Sequence, residues 1–355
     1  MNSLPLRLDG AGRILLIKPS ALGDVVHTLP VVATLRRRYP NVALDWLVEE
    51  EAADLVRGHP AVSEVLVSGR RRWLRQMRSA ATLPAALREA RAFLRGLRQR
   101  RYGAVLDLQG LFKSALYVLA AGAPLRVGLT DGREGATWAL THRVTPPPQP
   151  VHAVERYLAL AAAVDATEVV RDFTISLAAE DLDTAEAIRR SVASPCVVLH
   201  PAARWPTKLW ETDRWRAVAA ALGTAGIGVL LTGSGADREL ANTICAGLRP
   251  APRSLAGQLT LKQLTAVLRG ADTMVTVDSG PMHIAAAVGT PIVALFGPTD
   301  PARTGPCGPA TVLRRALPCS PCLRRRCRIA ERYRCMRDLT VAEVVGAAQR
   351  QLERR

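Results

Sequence analysis

Aromatic residues are scarce in this chain: Phe, Trp and Tyr together make up 4% of its 355 residues. The apolar positions, 48% of the chain, fall instead to Ala, Leu and Val. That palette suits helices packed on parallel sheets better than a Tyr- and Trp-rich β-sandwich. Long apolar runs are lacking too. No stretch of about 18 uncharged apolar residues occurs, so no segment reads as a membrane span. The first residues, MNSLPLRLDGAGR, carry no signal-peptide stretch, and the expectation is a cytoplasmic protein. Acidic charge is in deficit, with 31 Asp and Glu against 48 Lys and Arg, a formal net charge of +17. A disordered chain is nevertheless excluded by the apolar content and only 22% charged residues.

Lysine is rare as well, so arginine supplies almost all of the positive charge. An excess this large implies anionic partners: nucleic acid, an acidic membrane face, or phosphorylated and carboxylated substrates. Arginine's two-point fork favours oxyanions. An Arg-rich codon preference explains the composition equally well.

What is present is alternation. ILLIK, ALDWLVEE, SEVLVS and AVLDLQG read as strands in the first half; CVVLHP, GVLLTGSG, TMVTVDSG and PIVALFGP read as strands in the second. Helical segments intervene, which is the grammar of an α/β fold with parallel sheets. Val25 to Tyr39 carries helical spacing and ends in Arg36, Arg37 and Arg38, cations suited to the negative end of a helix dipole. A long basic helical stretch from Gly69 to Arg101 is broken near Leu83 and Pro84. THRVTPPPQPVH is a boundary candidate, stiffened by its prolines, with a helix from Ala153 to Val164 after it. The expected architecture is two Rossmann-like domains, residues 1–165 and 175–338, facing a central cleft. A C-terminal helix, 339–355, is a candidate bridge back to the first domain.

Ligands of such sheets bind at strand carboxyl ends, and three junctions stand out there. In KPSALGDVVHTLP, Asp24 sits just before a helix. It reads either as a helix cap or as a carboxylate able to take a proton from a substrate hydroxyl. In LLTGSGADRE, Gly233 and Gly235 let the backbone approach a ligand, and Asp237 could hold a ribose diol; many αβ turns use such glycines structurally. In VTVDSGPMHIAAAVGTP, Pro281 suits the first helical turn. Ser279 and Gly280 would present donors to a diphosphate, and His283 either joins them or packs. Lys208, in HPAARWPTKLW, is a lysine in an arginine-rich chain. It could meet charge developing on a leaving phosphate, or simply be solvated.

Together these segments resemble glycosyltransferase family 9, the lipopolysaccharide heptosyltransferases of GT-B fold, from about Ile14 to about Leu339. The strongest pieces are KPSALGDVVHTLP and VDSGPMHIAAAVGTPIVALFGPTDP, while GRRRWLRQMR, LDLQGLFKSA and HAVERYL look most like heptosyltransferase I. The resemblance implies inverting, metal-independent transfer of L-glycero-D-manno-heptose from ADP-heptose to the Kdo of Kdo–lipid A. It implies no cofactor for that chemistry. Asp24 then matches the general base and Lys208 the residue on the donor diphosphate. Asp237 would hold the adenosine ribose and Leu259 border adenine. Asp278, Ser279, Gly280 and His283 match the donor-sugar and diphosphate loop. Arg70, Arg71, Arg72, Arg75, Lys113, Arg133 and Arg156 resemble the basic residues that meet an anionic glycolipid acceptor. Peripheral contact with the inner face of the cytoplasmic membrane follows from such an acceptor. Ala202 and Ala203 depart from the pattern, standing where hydroxyl residues occur in better-known heptosyltransferases I. Their loop looks closer to heptosyltransferase II.

Rival readings fare less well. No G-x-G-x-x-G follows the first strand, against a nicotinamide-dependent oxidoreductase. No helix-turn-helix, RNP-type or stacking pattern supports a specific nucleic-acid binder. Asp181 and Asp183 mimic a metal-binding Asp-x-Asp pair, but AAEDLDTAEAIRR reads as a helix start where acids cap. Cys319 and Cys322 have metal-knuckle spacing, and with Cys327 and Cys335 they could complete a tetrahedral zinc site. Free thiols are the alternative, since disulfides are disfavoured in the cytoplasm.

Overall fold

The computed structural model of the protein describes residues 6–354. Residues 1–5, at the start of the segment MNSLPLRLDGAGR, and Arg355 at the end of the expected C-terminal helix lie outside the described residues. The chain divides into two compact units at Ser176 and Leu177.

In the first unit six strands follow one another: β1 (Arg13–Ile17), β2 (Ala43–Glu49), β3 (Glu64–Ser68), β4 (Ala104–Asp107), β5 (Leu125–Leu129) and β6 (His142–Val144). They form one parallel sheet in the order β3-β2-β1-β4-β5-β6. Parallel neighbours need crossovers, supplied here by helices such as Leu29–Arg38, Leu83–Gln99 and Phe112–Ala121. The central strands are buried on both faces, hence the unbroken run Ile14 to Ile17, each fully buried.

The second unit repeats the plan with β7 (Cys196–His200), β8 (Gly228–Leu231), β9 (Arg253–Ser254), β10 (Thr273–Val277), β11 (Ile292–Phe296) and β12 (Ala310–Arg314). Its order, β12-β11-β10-β7-β8-β9, is that of the first sheet when counted from β7. Each sheet therefore reverses direction beside its first strand, at β1/β4 and at β7/β10. A ligand crevice opens at such a reversal, outside the carboxyl ends of the strands.

Local differences from the sequence reading have physical causes. The helix expected from Val25 to Tyr39 is two helices, Leu22–Val26 and Leu29–Arg38, with His27 and Thr28 at the break and Pro30 in the first turn of the second. Proline lacks an N–H and is tolerated only at a helix start. The break expected near Leu83 and Pro84 is present: the helix Arg70–Gln76 ends before it, and Pro84 opens the helix Leu83–Gln99. The Pro-rich stretch runs from β6 into the helix Ala153–Ala163 inside the first unit. The helix Val341–Glu353 buries Val344, Ala347 and Ala348 in the second unit's own core, against the helix Thr212–Thr224, β10 and β11. That core also holds Trp210 and Trp215, packed edge-on with ring centroids 5.4 Å apart.

Candidate active site

At the β1/β4 reversal the chain leaves β1 through Lys18 and turns into the short helix that carries Asp24. Both carboxylate oxygens of Asp24 are engaged. Oδ2 accepts the Ala21 N–H at 3.2 Å, a helix-start contact. Oδ1 accepts the Tyr157 hydroxyl at 2.8 Å, from the helix Ala153–Ala163. Lys18 Nζ lies 3.7 Å from the same oxygen and donates to Tyr157 Oη at 2.7 Å and to Leu108 O at 3.0 Å. Lys18 is almost wholly buried, whereas the Asp24 side chain is 37% exposed. The carboxylate is thus braced by neighbours at both oxygens while part of the side chain stays exposed.

Burial pushes the Lys18 ammonium below its usual range, and Asp24 and Asp107 partly restore it. Burial drives the Tyr157 phenol well above its usual range, with Asp24 adding to the effect. Tyr157 therefore remains a proton donor to Asp24 throughout the physiological range. After β4, Asp107 is buried and organises the next loop by accepting from Gln109 N (3.0 Å), Gly110 N (3.1 Å) and Ser114 Oγ (2.9 Å). Lys18 and Tyr157 had not been assigned roles from the sequence. The scarcity of lysine that drew attention to Lys208 applies equally to Lys18.

The basic residues expected on the acceptor side form two groups. Lys113 donates to Ser20 Oγ at 2.7 Å, within the loop that leads to Asp24. Arg133 anchors by its backbone to Gly110 O at 2.8 Å and leaves its side chain exposed. Arg156 pairs with Asp131 at 2.7 Å. The second group follows β3 on the helix Arg70–Gln76. Here Glu49, buried at the end of β2, takes Arg70 at 2.8 Å, Arg71 at 3.0 Å and Lys113 at 3.4 Å. Burial alone would raise this carboxyl, but Lys113, Arg70 and Arg71 outweigh it and hold Glu49 below the usual carboxylate range. Arg72 pairs with Glu50 at 3.0 Å and Glu89 at 2.6 Å. Arg75 is exposed and borders a cavity of about 410 Å³ with Glu49, Ser68 and Arg71. Glu49, Glu50 and Glu51 went unremarked as a counter-charge set because they read as the end of a strand.

At the β7/β10 reversal, Lys208 Nζ lies 2.6 Å from Asp278 Oδ2 and 4.9 Å above the Trp205 ring. Thr299 donates its hydroxyl to the same Asp278 oxygen at 2.6 Å. The pair is nearly buried, 16% and 6% exposed on the two side chains. Asp278 thus holds the lysine, while Trp210, two residues on, packs into the core. Ser279 caps the helix Gly280–Ala287 by accepting from Met282 N at 3.4 Å and meets Thr276 Oγ1 at 3.1 Å. Pro281 carries no N–H, so this helix start has already used part of its anion-binding capacity. His283 is buried on the same helix.

Asp237 folds back to accept from Ser234 N (2.7 Å) and Ser234 Oγ (2.6 Å), closing the turn after β8. Leu259 is half-buried just before the helix Leu261–Gly270. His200, at the end of β7, is buried against Thr232 Oγ1 at 3.1 Å, and burial lowers its pKa to about 4. It is neutral at pH 7 and adds no charge to the site. Asp181 accepts from Ala178 N at 3.0 Å at the start of the helix Ala179–Arg190, as expected of a cap.

Two parallel six-stranded sheets of this order match the GT-B architecture of solved heptosyltransferases. Residues 90–332 match the family model described as glycosyltransferase family 9 (heptosyltransferase). The chain belongs to glycosyltransferase family 9. It is similar to lipopolysaccharide heptosyltransferase 1 of Pseudomonas aeruginosa, 37% identical over 322 residues that cover 89% of this chain and 87% of the relative. Among solved structures it is similar to E. coli ADP-heptose lps heptosyltransferase II, 28% identical with a TM-score of 0.76, covering 96% of this chain and 99% of the other. E. coli heptosyltransferase WaaC with ADP matches at 27% identity and a TM-score of 0.74, over 96% and 99% of the two chains.

Proposed function

We propose that this glycosyltransferase moves L-glycero-D-manno-heptose from ADP-heptose to the Kdo of Kdo–lipid A, with inversion and without a catalytic metal. Asp24 takes the proton from the acceptor hydroxyl as that oxygen attacks the anomeric carbon. Lys208, with Asp278 holding it, meets the charge that passes to the departing ADP. Asp237 and Leu259 serve the adenosine end, and Ser279, Gly280 and His283 the diphosphate and sugar. The exposed Arg75 and Arg133, with Lys113 and Arg156, offer charge to the acceptor's carboxylates and phosphates. The protein works in the cytoplasm, against the inner face of the membrane that carries this acceptor.

The observation that carries the reading is the part-exposed carboxylate of Asp24, braced on Ala21 and Tyr157 beside the buried Lys18 at the end of β1. The similarity to heptosyltransferase 1 supports the donor and acceptor. Metal-independent catalysis is supported by the Asp181 carboxylate, which is occupied in capping a helix. Removing a positioned general base costs roughly 10²–10⁴ in rate. Asp24→Asn is therefore expected to lose turnover on that scale while its affinity for ADP, measured by calorimetry, stays at the wild-type value. Near-normal turnover would remove Asp24 from the mechanism. The loop with Ala202 and Ala203 favours heptosyltransferase II as the second reading, and acceptors bearing no heptose and one heptose separate the two.

A further inference from the structure

From Arg315 to Tyr333 the chain forms neither helix nor strand. Irregular segments beyond about 12–15 residues are uncommon in a compact domain and need something to hold them. Apolar packing does not do so here. No residue of this stretch is fully buried, and Pro321, Leu323, Arg324, Arg325 and Arg326 are exposed. Its ties to the rest of the unit are scattered along the stretch. Ser320 Oγ donates to Gly297 O at 2.6 Å, Leu323 N to Pro298 O at 2.8 Å, and Tyr333 N to Cys327 Sγ at 3.4 Å.

What the segment does turn inward is sulfur. Cys319, Cys322, Cys327 and Cys335 are all free, all partly buried, and all border one cavity of about 530 Å³. Four thiolates with a Cys-x2-Cys knuckle match the tetrahedral preference of Zn²⁺ and other thiophilic divalent cations. Charge fits as well. Four thiols lose four protons to solvent on binding one divalent ion, which leaves a centre with two net negative charges. Arg324, Arg328 and Arg334 line the same cavity and face that charge. The four sulfurs are not drawn together at ligand spacing in this structure, so binding would bring the segment inward onto bonds of about 2.3 Å.

We propose that Cys319, Cys322, Cys327 and Cys335 together bind one structural thiophilic cation of the Zn²⁺ class, which fixes the segment 315–333. The segment contacts the loop that carries Lys208. Thr207 Oγ1 donates to Arg324 O at 2.7 Å, and the Arg325 guanidinium lies 5.4 Å from the Trp205 ring centroid, the ring that Lys208 also overlies. Ordering the cysteine segment therefore orders the loop that presents Lys208. The cation site stands independently of the heptose reading; only its effect on the donor rests on it.

The test uses the full chain, reduced anaerobically, loaded with Zn²⁺ or Co²⁺ and desalted. The expected result is one metal ion per chain by elemental analysis, with Co²⁺ giving the thiolate charge-transfer and visible bands of a tetrahedral centre. Cys322→Ser and Cys335→Ser should lose the metal, whereas Cys322→His, which keeps a ligand, should retain it. Wild-type protein that retains no metal, or Cys322→Ser and Cys335→Ser that retain it fully, would overturn the site. If the serine variants do not fold, the wild-type cobalt spectrum decides alone: absence of thiolate bands counts against the site. ADP titration of loaded and stripped wild-type protein reads the link to Lys208. Weaker ADP binding after stripping supports it, and equal binding with full metal loss overturns that link.

Discussion

Single residues at the first reversal make the sharpest claims. Tyr157 joins the buried Lys18 to the candidate base, and neither partner could be paired from sequence, because 133 positions separate Tyr157 from Asp24. A hydrogen bond to a charged group contributes about 1.5–3 kcal/mol, roughly one to two orders of magnitude in rate if it acts on the transition state. Tyr157→Phe is thus expected to lower kcat about 10- to 100-fold with little change in the KM for donor. Steady-state kinetics with each substrate varied would check it. An unchanged kcat would make Tyr157 a packing residue. Asp24 itself was legible because a carboxylate at a strand-to-helix turn has few uses. Lys208 was legible through rarity, but its grip by Asp278 and Thr299 was not, since those contacts depend on how three separate loops meet.

Elements were legible in proportion to their burial. The eight strands read from sequence lie toward the middle of their sheets or carry unbroken apolar runs. The four that escaped notice, β5, β6, β9 and β12, are short or carry arginine, as in LRVGL, HRV, RS and ATVLR. A strand exposed on a face or at an edge keeps no continuous apolar signal. The helix Val341–Glu353 shows how a start is set locally: Thr340 accepts from Glu343 N, and Glu343 accepts from Thr340 N at 2.8 Å. Arg315, with the Thr340 contacts, lowers the Glu343 pKa to about 2. A carboxyl depressed in the folded state contributes stability that is present above its ordinary pKa and lost as pH falls toward about 2. Glu343→Gln keeps the capping contact but loses the charge, and is expected to lower stability by about 0.3–1 kcal/mol at pH 7, with the difference from wild type shrinking in acid. Urea melts at pH 7 and pH 3 would measure both, and an equal difference at the two pH values would contradict the assignment.

Across the whole molecule the charge is the dominant physical fact. Acids neutralise arginines locally at Glu49, Glu50, Glu89 and Asp131, yet 48 basic residues against 31 acidic ones leave a large excess. Composition gave the sign of the partner but could not say which arginines are spoken for. Among the described residues no helix is long and apolar enough to cross a membrane. Binding to a membrane surface would then rest on electrostatics, at about 1 kcal/mol per basic residue near anionic lipid. Cosedimentation with anionic vesicles is expected at low salt and should fade toward 1 M salt, where the screening length falls to about 3 Å. Equal binding to neutral vesicles would contradict a charge-driven contact.

The most direct measurement of the central claim is heptose transfer from ADP-heptose to Kdo–lipid A, run beside an acceptor that already carries one heptose. The account predicts product on the bare Kdo acceptor, abolished in Asp24→Asn. Product only on the heptosylated acceptor would contradict the proposed acceptor, and product on neither would contradict the proposed reaction.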